Sequence, residues 1–175
     1  MEQLDSKTLF AGSLFEVAEK RFRRADGDEV QRQVVEHPGS VAIVAHDSEC
    51  VHLVRQPREA IGADGLLEIP AGTMDVEGES ERECAERELG EEVGLAAEHW
   101  ERLQAIYPSP GFLSEKLTIF AATGLSEQPG ESDEDERIEI VRLPLTEIEP
   151  ALREIEDAKT VVGLLLLNER LRTPR

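Results

Sequence analysis

Apolar residues come in short runs and alternations through the first part of the chain, and the helical period appears only after residue 78. From Lys7 to Glu36 the pattern predicts two or three strands, among them Leu14 to Arg23 and Glu29 to Glu36. Between them lies Ala25-Asp26-Gly27-Asp28, whose Asp-Gly pair suits the tight turn of a hairpin. His37-Pro38-Gly39 breaks the chain before the aliphatic run Val41-Ala42-Ile43-Val44, which predicts a central strand over Ser40 to Ala45. A second hairpin returns through Cys50 to Gln56, and Leu66 to Ile69 is a short strand stopped by Pro70-Ala71-Gly72.

Glu79 to Val93 then reads as a helix. Ser80-Glu81-Arg82-Glu83 forms a capping box at its start, and Gly94 is placed to end it. Leu103 to Tyr107, Leu117 to Leu125 and Ile138 to Leu143 are three further strands, followed by helices over Leu145 to Ile155 and Ala158 to Leu171. This order predicts one mixed α/β (α+β) domain without internal repeats. Length agrees, since 175 residues can build one real core but not two comfortable ones. Gln128 to Glu136, rich in Gly, Ser, Asp and Glu, reads as a mobile loop.

Charge narrows the partners. Acidic residues number 38 against 19 basic, a formal charge of -19, which argues against nucleic acid and anionic membranes. A phosphate-bearing substrate would need cations and local arginines to reverse the field. No run approaches the roughly 18 apolar residues of a membrane span. The first residues, with Glu2 and Asp5, lack the basic and apolar regions of an export signal, so a cytoplasmic location is expected. Cys50 and Cys84, each in an apolar context, are expected to be buried, reduced thiols.

The candidate chemistry sits on the helix. Glu88, Glu91 and Glu92 stand at i, i+3 and i+4 and form one ridge. At a separation of 5 to 6 Å and an effective dielectric near 20, each like-charged pair repels by roughly 3 kcal/mol, which a hard cation would relieve. Water alone can also screen such a face, so the ridge by itself does not require a metal. The flanking residues do more: Gly72, a tight loop, a capped helix, Arg87 beside the carboxylates, apolar Leu89 and a stop at Gly94-Leu95.

The stretch Gly72-x6-Glu79-x7-Arg87-Glu88-Leu89-x-Glu91-Glu92-x-Gly94-Leu95 resembles the Nudix box, whose usual form has five residues between the first glycine and the first glutamate. The sixth lies within Thr73 to Gly78, ahead of the helix. The Arg87 to Leu95 half therefore keeps its register, and the open questions are the loop path and the role of Glu79. The resemblance implies that Glu88 and Glu92 are the principal metal ligands, helped by Glu91 and the main-chain carbonyl of Ala71, with Arg87 orienting a carboxylate. An all-oxygen set implies Mg²⁺ or Mn²⁺. None of His37, His46, His52 and His99 is near the box in sequence, and these are expected to be structural or exposed.

Three further segments look like the ADP-ribose pyrophosphatase branch of that family. They are Val54-Arg55-Gln56-Pro57-Arg58, Ser109 to Glu115 with its Pro110-Gly111 pair, and Asp133-Glu134-Asp135-Glu136. By this resemblance Arg55 and Arg58 bind phosphate oxygens, Gly111 and Glu115 contact substrate, and Arg32 contributes to the adenosine pocket. Glu134 is the carboxylate that activates water. Glu136 is its alternative or a further metal ligand, and Glu115 is the runner-up base. Phe10, Phe15 and Phe22 read equally well as stacking partners for adenine or as core.

The implied fold is a mixed sheet sandwiched between helices (39–175), preceded by an antiparallel N-terminal sheet (1–38) that joins two subunits of a homodimer. The implied reaction converts ADP-ribose to AMP and ribose 5-phosphate. The alternatives are another nucleotide sugar or dinucleotide as substrate, or a non-catalytic module that binds a nucleotide metabolite. The intact Glu88, Glu91 and Glu92 favour catalysis.

Overall fold

The computed structural model describes residues 1–12, 15–128 and 137–173. The chain divides into two compact units, Met1–Gly39 with Ile106–Leu117, and Ser40–Ala105 with Thr118–Arg175.

The first unit is built on a three-stranded antiparallel sheet of β1 (Glu2–Ala11), β2 (Glu16–Arg23) and β3 (Glu29–Glu36), in that order. The Asp-Gly turn forms as the sequence predicts, with Gly27 at φ 93° and Arg24 N–H donating to the Asp28 carbonyl at 2.8 Å. Ala18 is the one buried residue among the described positions of these strands, and Leu9, Phe10 and Phe15 remain exposed. Phe10 and Phe15 face each other with ring centroids 6.0 Å apart, so neither is a core residue. The Ser109 to Glu115 loop is anchored to the end of β3. Val35 N–H donates to the Phe112 carbonyl at 2.7 Å, Ser114 N–H to the Val35 carbonyl at 3.0 Å, and His37 N–H to Ser114 Oγ at 2.9 Å.

The second unit contains β4 (Ser40–His46), β5 (Cys50–Arg58), β6 (Ala63–Glu68), β7 (Ala71–Thr73), α1 (Glu81–Val93), β8 (Leu95–Ile106), β9 (Leu117–Glu127), β10 (Glu139–Pro144), α2 (Ile148–Ala151) and α3 (Ala158–Arg172). Its seven-stranded sheet runs β10-β5-β4-β9-β8, with β6 also paired to β5 and β7 to β4. Alternation along β4 sends residues to both faces. Val41, Ile43 and Ala45 join Cys84, Ala85, Leu89 and Val93 of α1 in one core cluster. Val44 turns to the other side, where a Cβ on Gly163 of α3 would lie 2.9 Å from both Val44 Cγ2 and Ile69 Cδ1. The sheet is therefore sandwiched between helices, and each fully buried aliphatic side chain contributes roughly 1.5–3 kcal/mol.

Several elements differ from the sequence expectation, among them β7, which pairs with β4 where the sequence predicts a stop. β1 is a full ten-residue strand, although its residues are almost all exposed and give little apolar signal. β8 starts directly after α1 and is twelve residues long, not confined to Leu103 onward. It is an edge strand, so polar residues such as Glu98, His99 and Glu101 stand outward and mask the alternation. The helix expected over Leu145 to Ile155 shrinks to a 3-10 turn at Leu145–Glu147 and the four-residue α2. Only Ile148 of that α-helix is buried, too little to hold a longer one. No described helix is long and apolar enough to cross a membrane.

Candidate active site

α1 is positioned at both ends. Ser80 Oγ accepts from Glu83 N–H at 3.2 Å, and the Glu83 carboxylate accepts from Ser80 N–H at 2.9 Å, completing the capping box. Gly94 closes the helix at φ 70°, and its N–H donates to the Gly90 carbonyl at 3.0 Å. With Cys84, Ala85, Leu89 and Val93 gripping the sheet, the glutamate ridge takes the orientation that remains.

Each ridge residue has a definite neighbour. Glu88 lies directly over Gly72, where a Cβ would come within 1.8 Å of its Cδ. Glu92 is buried, and its Oε2 accepts from Ala71 N–H at 3.0 Å. The Arg87 guanidinium organises the rest. Nε and Nη2 donate to the two oxygens of Glu79 at 2.9 and 3.1 Å, while Nη1 donates to Glu88 at 2.8 Å and Glu91 at 2.9 Å. Arg87 thus touches three carboxylates at once, and Glu79 has a defined place despite the extra loop residue.

The electrostatics follow from this hub. Hydrogen bonding to Glu79 is the largest reason the Arg87 guanidinium titrates above its ordinary range, and the same contact holds Glu79 below the usual carboxylate range. Burial, with Glu79 next in weight, pushes the Cys84 thiol up to about 12. Cys50 and Cys84 are both free and buried, as expected.

The residues present fit a hard divalent cation. Glu79, Glu88 and Glu91 gather around the Arg87 guanidinium with Glu92 beside them at the Ala71 turn, an all-oxygen ridge above a glycine with no side chain.

The other anticipated site residues fall in several places. Arg58 directs Nε and Nη2 onto Glu68 at 2.6 and 2.9 Å, so this bidentate face is engaged by the protein itself. Glu68 is 1% exposed and also accepts from Lys159. Burial favours its neutral form, but Arg58 and Lys159 outweigh burial and hold the carboxyl below its usual range. Arg55 Nη1 reaches the Gly65 carbonyl at 3.4 Å and borders an open cleft of about 630 Å³ with Arg137, Glu59, Asp64 and Glu139. Gly111, Glu115 and Arg32 belong to the first unit. Gly111 has open space where a Cβ would stand, and Arg32 Nη1 donates to the Gln31 carbonyl at 2.7 Å. Glu134 and Glu136 lie outside the described residues.

Sequence reasoning passed over Glu68 and Lys159. An acid inside the apolar run Leu66-Leu67-Glu68-Ile69 was a usable signal, because a buried carboxylate needs a paired charge. Lys159 is 91 residues away and carried none.

Within the α/β sandwich, the capped helix thus lines up Glu88, Glu91 and Glu92 beside the turn at Gly72. The family described as NUDIX domain matches residues 36–164. The chain is 43% identical over 127 residues to the ADP-ribose pyrophosphatase of Mycobacterium tuberculosis (strain ATCC 25618 / H37Rv), covering 72% of this chain and 61% of that relative. It is 34% identical to the ADP-ribose pyrophosphatase of Bacillus subtilis (strain 168) over the full length of both. A solved structure described as that of an ADP compounds hydrolase superposes with a TM-score of 0.83 at 28% identity, covering 98% of this chain and 95% of that one. The chain belongs to the Nudix family and is a Nudix hydrolase.

Proposed function

We propose that this protein hydrolyses the pyrophosphate bond of ADP-ribose, giving AMP and ribose 5-phosphate, with Mg²⁺ or Mn²⁺ held by Glu88, Glu91, Glu92 and the Ala71 carbonyl. The observation that carries this reading is Arg87 bridging Glu79, Glu88 and Glu91, on the helix that also presents Glu92 to the Ala71 turn. A divalent cation held there would neutralise pyrophosphate oxygens and lower the pKa of the attacking water.

The protein's own groups do the remaining work. Arg87 aims Glu88 and Glu91, and the Ala71 N–H fixes Glu92. Arg55, on the open cleft, offers a guanidinium to phosphate. Arg58 adds positive charge while steadied by Glu68. Glu134 takes the water's proton, with Glu136 as a further ligand or alternative base and Glu115 as runner-up. Gly111 admits substrate backbone-close, and Arg32 borders the adenosine.

The working form is a cytoplasmic homodimer joined through the 1–38 sheet, with 39–175 as the hydrolase domain. The exposed Leu9, Phe10 and Phe15 supply apolar surface for such a junction.

The test is a panel of nucleoside diphosphate derivatives with Mg²⁺, read by product analysis. ADP-ribose should be cleaved to AMP and ribose 5-phosphate, and Glu92→Gln should lower turnover at least about a hundredfold with the fold intact. A preference for another nucleotide sugar would replace the substrate assignment. Inactivity across the panel would point to a binding module instead. Glu134→Gln tests the base, which must lose rate while metal binding persists.

A further inference from the structure

Outside the box, the turn that joins β4 to β5 gathers an unusual donor set. Among the described residues, Asp47, Cys50 and His52 bring a carboxylate oxygen, Sγ and a ring nitrogen within 4.8 Å of one another. Cys50 Sγ lies 3.8 Å from Asp47 Oδ2 and 4.0 Å from His52 Nε2. A tetrahedral ion with a metal–sulfur bond near 2.3 Å and metal–nitrogen or metal–oxygen bonds near 2.0–2.1 Å needs donor separations of roughly 3.5 Å. The two separations from sulfur therefore need to close by only about half an ångström, and that between Asp47 and His52 by no more than about 1.3 Å. From these residues we infer a second metal site, for a borderline-soft divalent cation such as Zn²⁺, held by Asp47 Oδ2, Cys50 Sγ and His52 Nε2 with water completing the shell.

The site is built rather than coincidental. Asp47 Oδ1 accepts from Glu49 N–H at 2.7 Å and Cys50 N–H at 2.8 Å, which fixes the carboxylate and turns Oδ2 toward the thiol. Asp47 N–H also closes the hairpin on the Cys50 carbonyl at 3.1 Å. Cys50 and His52 are two apart on β5 and so share one face, and β5 is held between β4 and β10. Ligands carried on a paired strand and a doubly bonded turn lose little freedom when an ion binds.

A positive charge already stands at this place. Arg142 of β10, opposite His52 in the strand register, donates from Nε to Cys50 Sγ at 3.2 Å and brings Nη2 within 3.7 Å of Asp47 Oδ2. Its side chain is 61% exposed, so it can leave for solvent as an ion enters. Cation binding converts the Cys50 thiol to thiolate, with the proton released to water and the thiolate–metal bond replacing the guanidinium contact. The donor set also separates this site from the all-oxygen ridge: sulfur and imidazole select Zn²⁺ over Mg²⁺. None of its donors belongs to the box, and the inference is independent of the proposed reaction.

The probe is Co²⁺ titrated into the full chain under reducing conditions, with Mg²⁺ in excess to occupy the oxygen site. The expected result is a thiolate-to-cobalt charge-transfer band with intense tetrahedral visible bands, saturating at one equivalent and bleached by Zn²⁺. Cys50→Ser should abolish the charge-transfer band, whereas Cys84→Ser should retain it. His52→Gln should weaken Co²⁺ affinity by about 10–100-fold with an unchanged circular dichroism spectrum. Arg142→Gln should tighten it, because no cation then has to be displaced. The absence of a charge-transfer band in the wild-type protein overturns the inference, as does a band that survives Cys50→Ser or an affinity indifferent to His52→Gln.

Discussion

Arg87 grips Glu79 through both carboxylate oxygens, at 2.9 and 3.1 Å, and uses its remaining nitrogen on Glu88 and Glu91. One planar cation thus ties the residue that precedes the helix to two members of the ridge. A lysine has the charge but not the fork. Arg87→Lys should raise the Mg²⁺ concentration needed for half-maximal activity by about 10–100-fold with little loss of helix content. Metal titrations of rate beside circular dichroism measure both.

Gly72 has a single steric task. Its added Cβ would fall 1.8 Å from Glu88 Cδ, so Gly72→Ala must push that carboxylate aside. The far end of a glutamate can move at small cost, which separates function from stability. The expected outcome is a fall in kcat/KM of at least about tenfold, with unfolding free energy changed by no more than about 1 kcal/mol. Steady-state kinetics and urea melts decide it.

Glu68 predicts a pH dependence of folding. Its native pKa lies below the ordinary value because Arg58 and Lys159 outweigh the effect of burial. A carboxylate depressed in the native state contributes stability that is complete above its unfolded pKa and is lost as pH falls through the native one. Wild-type stability should therefore decline on acidification below the usual carboxylate range. Glu68→Gln should start lower at neutral pH, by about 1–3 kcal/mol, and decline less steeply. Urea melts of both proteins from pH 7 down to pH 3 test the sign.

Gly163 sets how closely α3 approaches the sheet. Alanine would gain about 1 kcal/mol of helix propensity, but its Cβ would meet Val44 and Ile69 at 2.9 Å. Overpacking of this kind costs about 1–3 kcal/mol. Gly163→Ala should therefore leave the protein up to about 2 kcal/mol less stable, measurable as a lowered melting temperature.

What the sequence disclosed follows from where the signals are local. The hairpin at Gly27, the aliphatic core strand Ser40 to Ala45 and the capped helix with its glutamates each depend on residues a few positions apart, and all formed. The start of β1 and the 95–102 part of β8 escaped because exposed strands carry polar residues on most positions. At the site, the nearness of Arg87 to Glu88 and Glu91 was legible from their spacing on α1. The engagement of Arg58 by Glu68 was not, because Lys159 and the strand pairing of β5 with β6 complete that pocket from afar.

One long-range contact has a consequence for synthesis. Ile69 N–H, three residues before Gly72, donates to Thr160 Oγ1 at 2.7 Å, across 91 residues of chain. On the ribosome, the strand that leads into the Gly72 turn emerges well before its hydrogen-bond acceptor. The turn can gain its final support only when α3 has cleared the exit tunnel, and until then a buried main-chain donor stays with water. A nascent chain stalled before residue 160 should therefore hold the complete box motif yet fail to seat its glutamates beside the Gly72 turn.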